Sequence, residues 1–194
     1  YKTTVGKAEG CINNGVVEGD INAGGVAGAM AVESMLDPEE DIERVGDDSF
    51  SFHYETRAIL LNCENRVPVT SKKDYAGGIV GRMDLGYILD CRNYGNVEST
   101  DGSYVGGIAG SSASTIRRSQ SKCMASGKNF VGGIAGDGYN LTENLAFVSI
   151  GNGEMYCGAI AGRVDDEGEI SSNRFVENGS AGIELRGKGR AHFL

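Results

Sequence analysis

The chain has 194 residues, of which 31 are glycine and only 2 are proline, and 40% are apolar. Much glycine with little proline excludes a disordered linker, and the length suits one domain, 1–194, with a core of its own. The net charge of −9 is uneven: residues 33–48 hold eight acids against Arg44, which is −7 and leaves −2 for the rest, and such a surface repels phosphate backbones, so nucleic acid is not an expected partner.

No run of 18 apolar residues occurs, so no helix long enough to cross a membrane is expected. The chain opens at Tyr1 without a charged-then-apolar leader, which reads as a piece of a longer protein whose targeting signal lies elsewhere. The five cysteines show no CxxC spacing, and only His53 and His192 could add imidazoles, so neither a zinc site nor a disulfide framework is expected.

In chain order, the first element is Ala8 followed by Cys11-x-Asn13-x-Gly15-x-Val17, which alternates with the period of a β-strand. A glycine motif follows at Gly24-Gly25-Val26-Ala27-Gly28. The pattern then stops. From Gly28 to the next matching apolar residue, Leu60, is 32 residues, whereas from Gly81 to Ile88 is seven, so an insertion occupies 29–56. Inside it, Asp37-Pro38-Glu39-Glu40 has the form of an N-cap, a first-turn proline and a capping box, and Gly46 would end that short helix. Ser49 to Thr56 alternates in part, as a strand would, and Met30, Met35 and Leu36 are apolar enough to dock the insertion on its neighbours. Asp37, Glu40, Phe50, Phe52 and Tyr54 are the candidate binding-loop residues, but cover for one flank is the reading we favour.

After the insertion the pattern returns four times. The apolar residue is Leu60, Ile88, Ile116 and Leu141, and each stands three residues ahead of a block. The blocks are Cys63-x-Asn65-x-Val67-x-Val69, Cys91-x-Asn93-x-Gly95-x-Val97, Ser119-x-Ser121-x-Cys123-x-Ala125 and Asn144-x-Ala146-x-Val148-x-Ile150. The glycine motifs begin at Gly77, Gly106, Gly132 and Gly158, the last reading Gly-Ala-Ile-Ala-Gly, with first-glycine spacings of 53, 29, 26 and 26 from Gly24 onward. Two residues ahead of the motif stand Tyr75, Tyr104, Phe130 and Tyr156, with Asn22 in the first copy. Ile170 and Asn173 begin a sixth, partial copy.

A repeat of this size cannot bury its own apolar face, and stacking copies on one axis solves that. The expected fold is an all-β, right-handed parallel β-helix of five to six coils, about 26 residues per coil, since crossovers between parallel strands are right-handed. Val26, Ile79, Ile108, Ile134 and Ile160 should form an interior ladder, and Cys11, Cys63 and Cys91 a half-buried one, in which the ladder spacing of Cys63 and Cys91 is compatible with a bond that the sequence does not demand. The glycines should mark bends taken at positive φ and close backbone approaches. The aromatic column should be structural, or, if exposed, a strip for stacking sugars.

The repeat resembles the GLUG motif family, whose pattern is Gly-Gly-Leu/Ile-Val-Gly, then Gly-x-Ile, then Cys/Ser-x-Asn/Ser-x-Gly-x-Val. The best copy here is Gly77 to Gly81, Gly86-x-Ile88 and Cys91-x-Asn93-x-Gly95-x-Val97, and the likeness covers roughly 8–28 and 57–180. That resemblance implies an exported bacterial solenoid on the cell surface or cell wall, as in the non-catalytic region of IgA-specific metalloendopeptidases and in proteins of gut Firmicutes. It implies a stalk or adhesin for a host protein or glycan, attached through parts of the parent chain outside this one, and it transfers no catalytic residues.

The residues themselves agree with a non-enzyme without cofactor or metal. HExxH, GxSxG, a GK[ST] ending and the calcium nonapeptide are missing, and Asp165-Asp166-Glu167-Gly168-Glu169 reads as a solvated bend. Two alternatives remain. One is a polysaccharide lyase-like β-helix using Arg92, Arg117, Arg118 and Lys122, which do not recur in register with an acid. The other is a pure spacer.

Overall fold

A computed structural model describes residues 2–31, 54–151 and 153–177, and over them the chain is all β, with no helix. Every strand pairs in parallel with its counterpart one coil away, so the molecule is a parallel β-solenoid of four sheets. Two sheets hold five strands and a third holds six, which makes five rungs joined by about four turns and the start of a sixth.

The sequence columns are the structural ladders. Ala8, Leu60, Ile88, Ile116, Leu141 and Ile170 pair in turn along one sheet. Val17, Val69, Val97, Ala125 and Ile150 do so along another. The motif's third residues stack vertically: the Val26 N–H donates to Ile79 O, Ile79 to Ile108 O, Ile108 to Ile134 O and Ile134 to Ile160 O, at 2.8–2.9 Å. These side chains, with Val80, Met83 and Val105, fill the interior. Coil length varies at more than one corner: from the motif's last glycine to the next ladder residue is seven residues at Gly81, six at Gly110, five at Gly136 and eight at Gly162, and from Ile88 to Gly106 is 18 where from Ile116 to Gly132 is 16.

The insertion is narrower than 29–56. Ala29 and Met30 complete the strand Ala27–Met30 and pair with Arg82 and Met83, while Tyr54 to Thr56 open the strand Tyr54–Leu61, which pairs with Lys2–Glu9 along its whole length. The first two rungs of that sheet are eight residues long where later ones are two or three, so their extra pairing lay outside the repeat columns. Met30 is buried. The helix at Asp37 to Gly46, and with it Asp37, Glu40, Phe50 and Phe52, lies outside the described residues.

The motif glycines are not the bends. Of the described glycines only Gly10 and Gly86, neither in the motif, have φ in the left-handed region; two columns of larger residues occupy it instead. One is Asn22, Tyr75, Tyr104, Phe130 and Tyr156, and the other Asn62, Asp90, Arg118, Glu143 and Ser172. The motif glycines answer to space. A Cβ on the first would lie 1.8–2.0 Å from the carbonyl oxygen three residues on, at Gly24, Gly77, Gly106, Gly132 and Gly158 alike. A Cβ on the second would meet the next rung: Gly25 lies 2.3 Å from Gly78 O, Gly78 and Gly107 the same from Gly107 O and Gly133 O, and Gly133 2.1 Å from Ala159 O. In the fifth rung, above which no described copy of the motif stands, the second position is Ala159 while Gly158 is kept. The first constraint acts within a coil and the second between coils.

A candidate binding face

Each residue after the second left-handed column has just turned a corner, and its N–H needs an acceptor. The acceptor is the side chain at the same position one rung up. Cys63 N–H donates to Cys91 Sγ (3.4 Å), Cys91 to Ser119 Oγ (3.2 Å), Ser119 to Asn144 Oδ1 (2.9 Å) and Asn144 to Asn173 Oδ1 (2.9 Å). Cysteine, serine and asparagine interchange in this column because all three accept a hydrogen bond. Cys63 and Cys91 are buried, not half-buried, and all five cysteines are free thiols, Cys11 alone being exposed. A second ladder runs beside it: Asn13 Nδ2 donates to Asn65 Oδ1 (2.9 Å) and Asn65 Nδ2 to Asn93 Oδ1 (2.8 Å).

The thiols carry two expected outcomes. A thiol-specific chromogenic reagent should titrate Cys11 at once and the other four only on unfolding, a one-to-four split readable by absorbance. Burial pushes Cys91 up to about 12 and Cys123 to about 11, from 9.0, and raises Cys63 and Cys157 too. The folded values exceed the unfolded ones, so this stability is whole below pH 9 and is lost as pH rises toward 11–12. Cys91→Ser keeps an acceptor for Cys63 and removes the largest shift, so the fall of the urea midpoint between pH 8 and 10.5 should be shallower in this variant.

Tyr75, Tyr104, Phe130 and Tyr156 form one stack, with centroids 4.9, 4.7 and 4.7 Å apart and planes within 18°. The rings lie half-buried, and each covers the face of the next, so the column shows solvent its edges. Sugar stacking needs an open face, and the column is therefore not a strip of sugar platforms. It holds four left-handed bends in place, at aromatic residues for which that backbone costs about 1–2 kcal/mol. Arg82 sits over Tyr75 at 5.7 Å and Arg163 over Phe130 at 5.2 Å. Arg163 also forks onto Asp137 of the rung below.

Arg117 and Arg118 are committed elsewhere. Arg118 forks onto both Asp90 oxygens at 2.8 Å, and this hydrogen bonding holds the Asp90 carboxyl below its ordinary range. Arg117 pairs with Glu143 at 2.6 Å. In the acidic bend the Asp165 carboxylate accepts the Glu167 N–H, and no cluster of potential metal ligands occurs among the described residues.

The nine-stranded sheet gives the broadest wall, and its outer side was not singled out by the repeat columns. One outward column runs Glu64, Arg92, Gln120, Leu145 and Arg174 in register. The next holds Arg66, Tyr94, Lys122, Phe147 and Val176, with Met124 beside it. Arg66 pairs with Glu64 at 2.5 Å. Arg92, Lys122 and Arg174 are exposed and in no ion pair among the described residues, and Tyr94, Met124 and Val176 are exposed apolar side chains. Extending the column reading to the x positions of each block, where Arg92, Tyr94 and Lys122 stand, would have found this face. Of the candidate loop, only Tyr54 is among the described residues, at the start of its strand. Comparison of the chain with protein-family models, curated proteins and solved structures finds no match.

Proposed function

We propose that this chain is a non-catalytic solenoid module of a bacterial cell-surface protein, adhesive in role, whose partner is a host protein or a glycan. The GLUG-like repeat supports the setting, with attachment to the cell wall or membrane made by other parts of the parent chain. The observation that carries the adhesive role is the outer side of the nine-stranded sheet, where Tyr94, Met124 and Val176 stand exposed beside cations in no ion pair among the described residues. Parallel in-register stacking places these side chains about 4.8 Å apart per rung on a rigid wall. A lyase-like reading has less support, because Arg117 and Arg118 are held by Glu143 and Asp90. The test is excision of one coil, residues 106–131, with binding read on an array of glycans and host-matrix proteins. An adhesin loses its ligand when the coil holding the site is removed, and a pure spacer does not. Release of unsaturated ends from acidic polysaccharides by the intact chain would overturn the non-catalytic reading.

A further inference from the structure

We infer that the outer face of the nine-stranded sheet binds an extended acidic polysaccharide through Arg92, Lys122 and Arg174, with Tyr94, Phe147 and Met124 as its apolar floor. The inference rests on the adhesive reading above and names its ligand class. Charge makes the first argument. The chain is −9, yet the two central outward columns hold Arg66, Arg92, Lys122 and Arg174 against Glu64 alone, which is +3. A basic strip on an acidic molecule is a local attraction for anions that the rest of the surface does not share.

Availability makes the second. Elsewhere the exposed arginines are paired, Arg118 with Asp90, Arg117 with Glu143 and Arg163 with Asp137. On this wall Arg66 is paired with Glu64, but Arg92, Lys122 and Arg174 make no ion pair among the described residues. Arg92 adds to the field at Asp90 without forming an ion pair, and Lys122 stands 5.5 Å from the Phe147 ring centroid.

Spacing makes the third. Arg92, Lys122 and Arg174 belong to the third, fourth and sixth rungs, so they lie about 5 and about 10 Å apart along the axis. An extended polysaccharide carries its carboxylates at a comparable period. Guanidinium forks suit carboxylates, and aromatic and thioether surfaces between cations suit the apolar faces of sugar rings. A flat parallel wall meets a linear ligand along its length, whereas duplex nucleic acid would be repelled by the acidic remainder of the molecule.

The test uses the full chain immobilised, with polygalacturonate, dextran sulfate, neutral dextran and duplex DNA as probes at 50 mM salt. Polygalacturonate or dextran sulfate should bind and neutral dextran should not, the preferred polymer telling carboxylate from sulfate. The combined variant R92Q/K122Q/R174Q should weaken binding by at least about tenfold, with an unchanged urea midpoint. The variant K72Q/K73Q/K128Q, equal in charge and drawn from the corner that follows Ser71 and Ser126, outside the two central columns, should stay within about twofold. Equal losses in both variants, no binding to either acidic polymer, or DNA binding as tight as the glycan would overturn the inference. New chain ends in the recovered polymer would instead overturn the non-catalytic reading, so the two failures are separable.

Discussion

Gly107→Ala should destabilise the solenoid by about 3 kcal/mol or more, read as a fall in the urea midpoint. A Cβ there would stand 2.0 Å from Ser121 Oγ, 2.3 Å from Gly133 O and 2.7 Å from Ser121 Cβ. A serine hydroxyl can rotate away, but a carbonyl of the next rung moves only if the rungs separate, and every hydrogen bond along that sheet opposes this. The ladder here is tight on both sides, with Gly107 N–H donating to Gly132 O and Ile108 N–H to Ile134 O. Gly15→Ala supplies the control. The nearest atom to its added methyl is Asn13 Oδ1 at 3.7 Å, and the backbone is not left-handed, so the change should stay within about 0.5 kcal/mol. No loss at Gly107, or a loss at Gly15 as large as the one at Gly107, would contradict the account in which the motif glycine is set by the packing of rungs.

Ile134→Ala should cost about 3–4 kcal/mol, from lost burial and from the cavity left between rungs. Ile134 is fully buried, with Ile108 below and Ile160 above it in the same ladder. A stack with sheets on several sides cannot collapse onto the void without breaking register. Ile160→Ala should cost less, since no described copy of the motif stands above it. Chemical denaturation of the three proteins gives the order directly, and equal losses at the two positions would contradict the assignment of Ile160 to the last complete rung.

The sequence by itself determined which residues lie above which. The apolar, glycine and block columns are the paired columns of the sheets, because in a parallel in-register stack each rung demands the same residue type at the same place. It also determined that the core is built from Val26, Ile79, Ile108, Ile134 and Ile160. Three features were decided only by the tertiary structure. The bends fell to tyrosine, phenylalanine, asparagine and charged residues because a stack of neighbours compensates a left-handed backbone, a gain invisible in any one copy. The second glycine of the motif is set by a carbonyl on the next rung, and alanine stands at that place, Ala159, in the fifth rung, above which no copy of the motif is described. The outer wall with Arg92, Tyr94 and Lys122 escaped the repeat analysis because exposed positions are free to vary from rung to rung, and only the register shows that three cations without an ion pair among the described residues share one face.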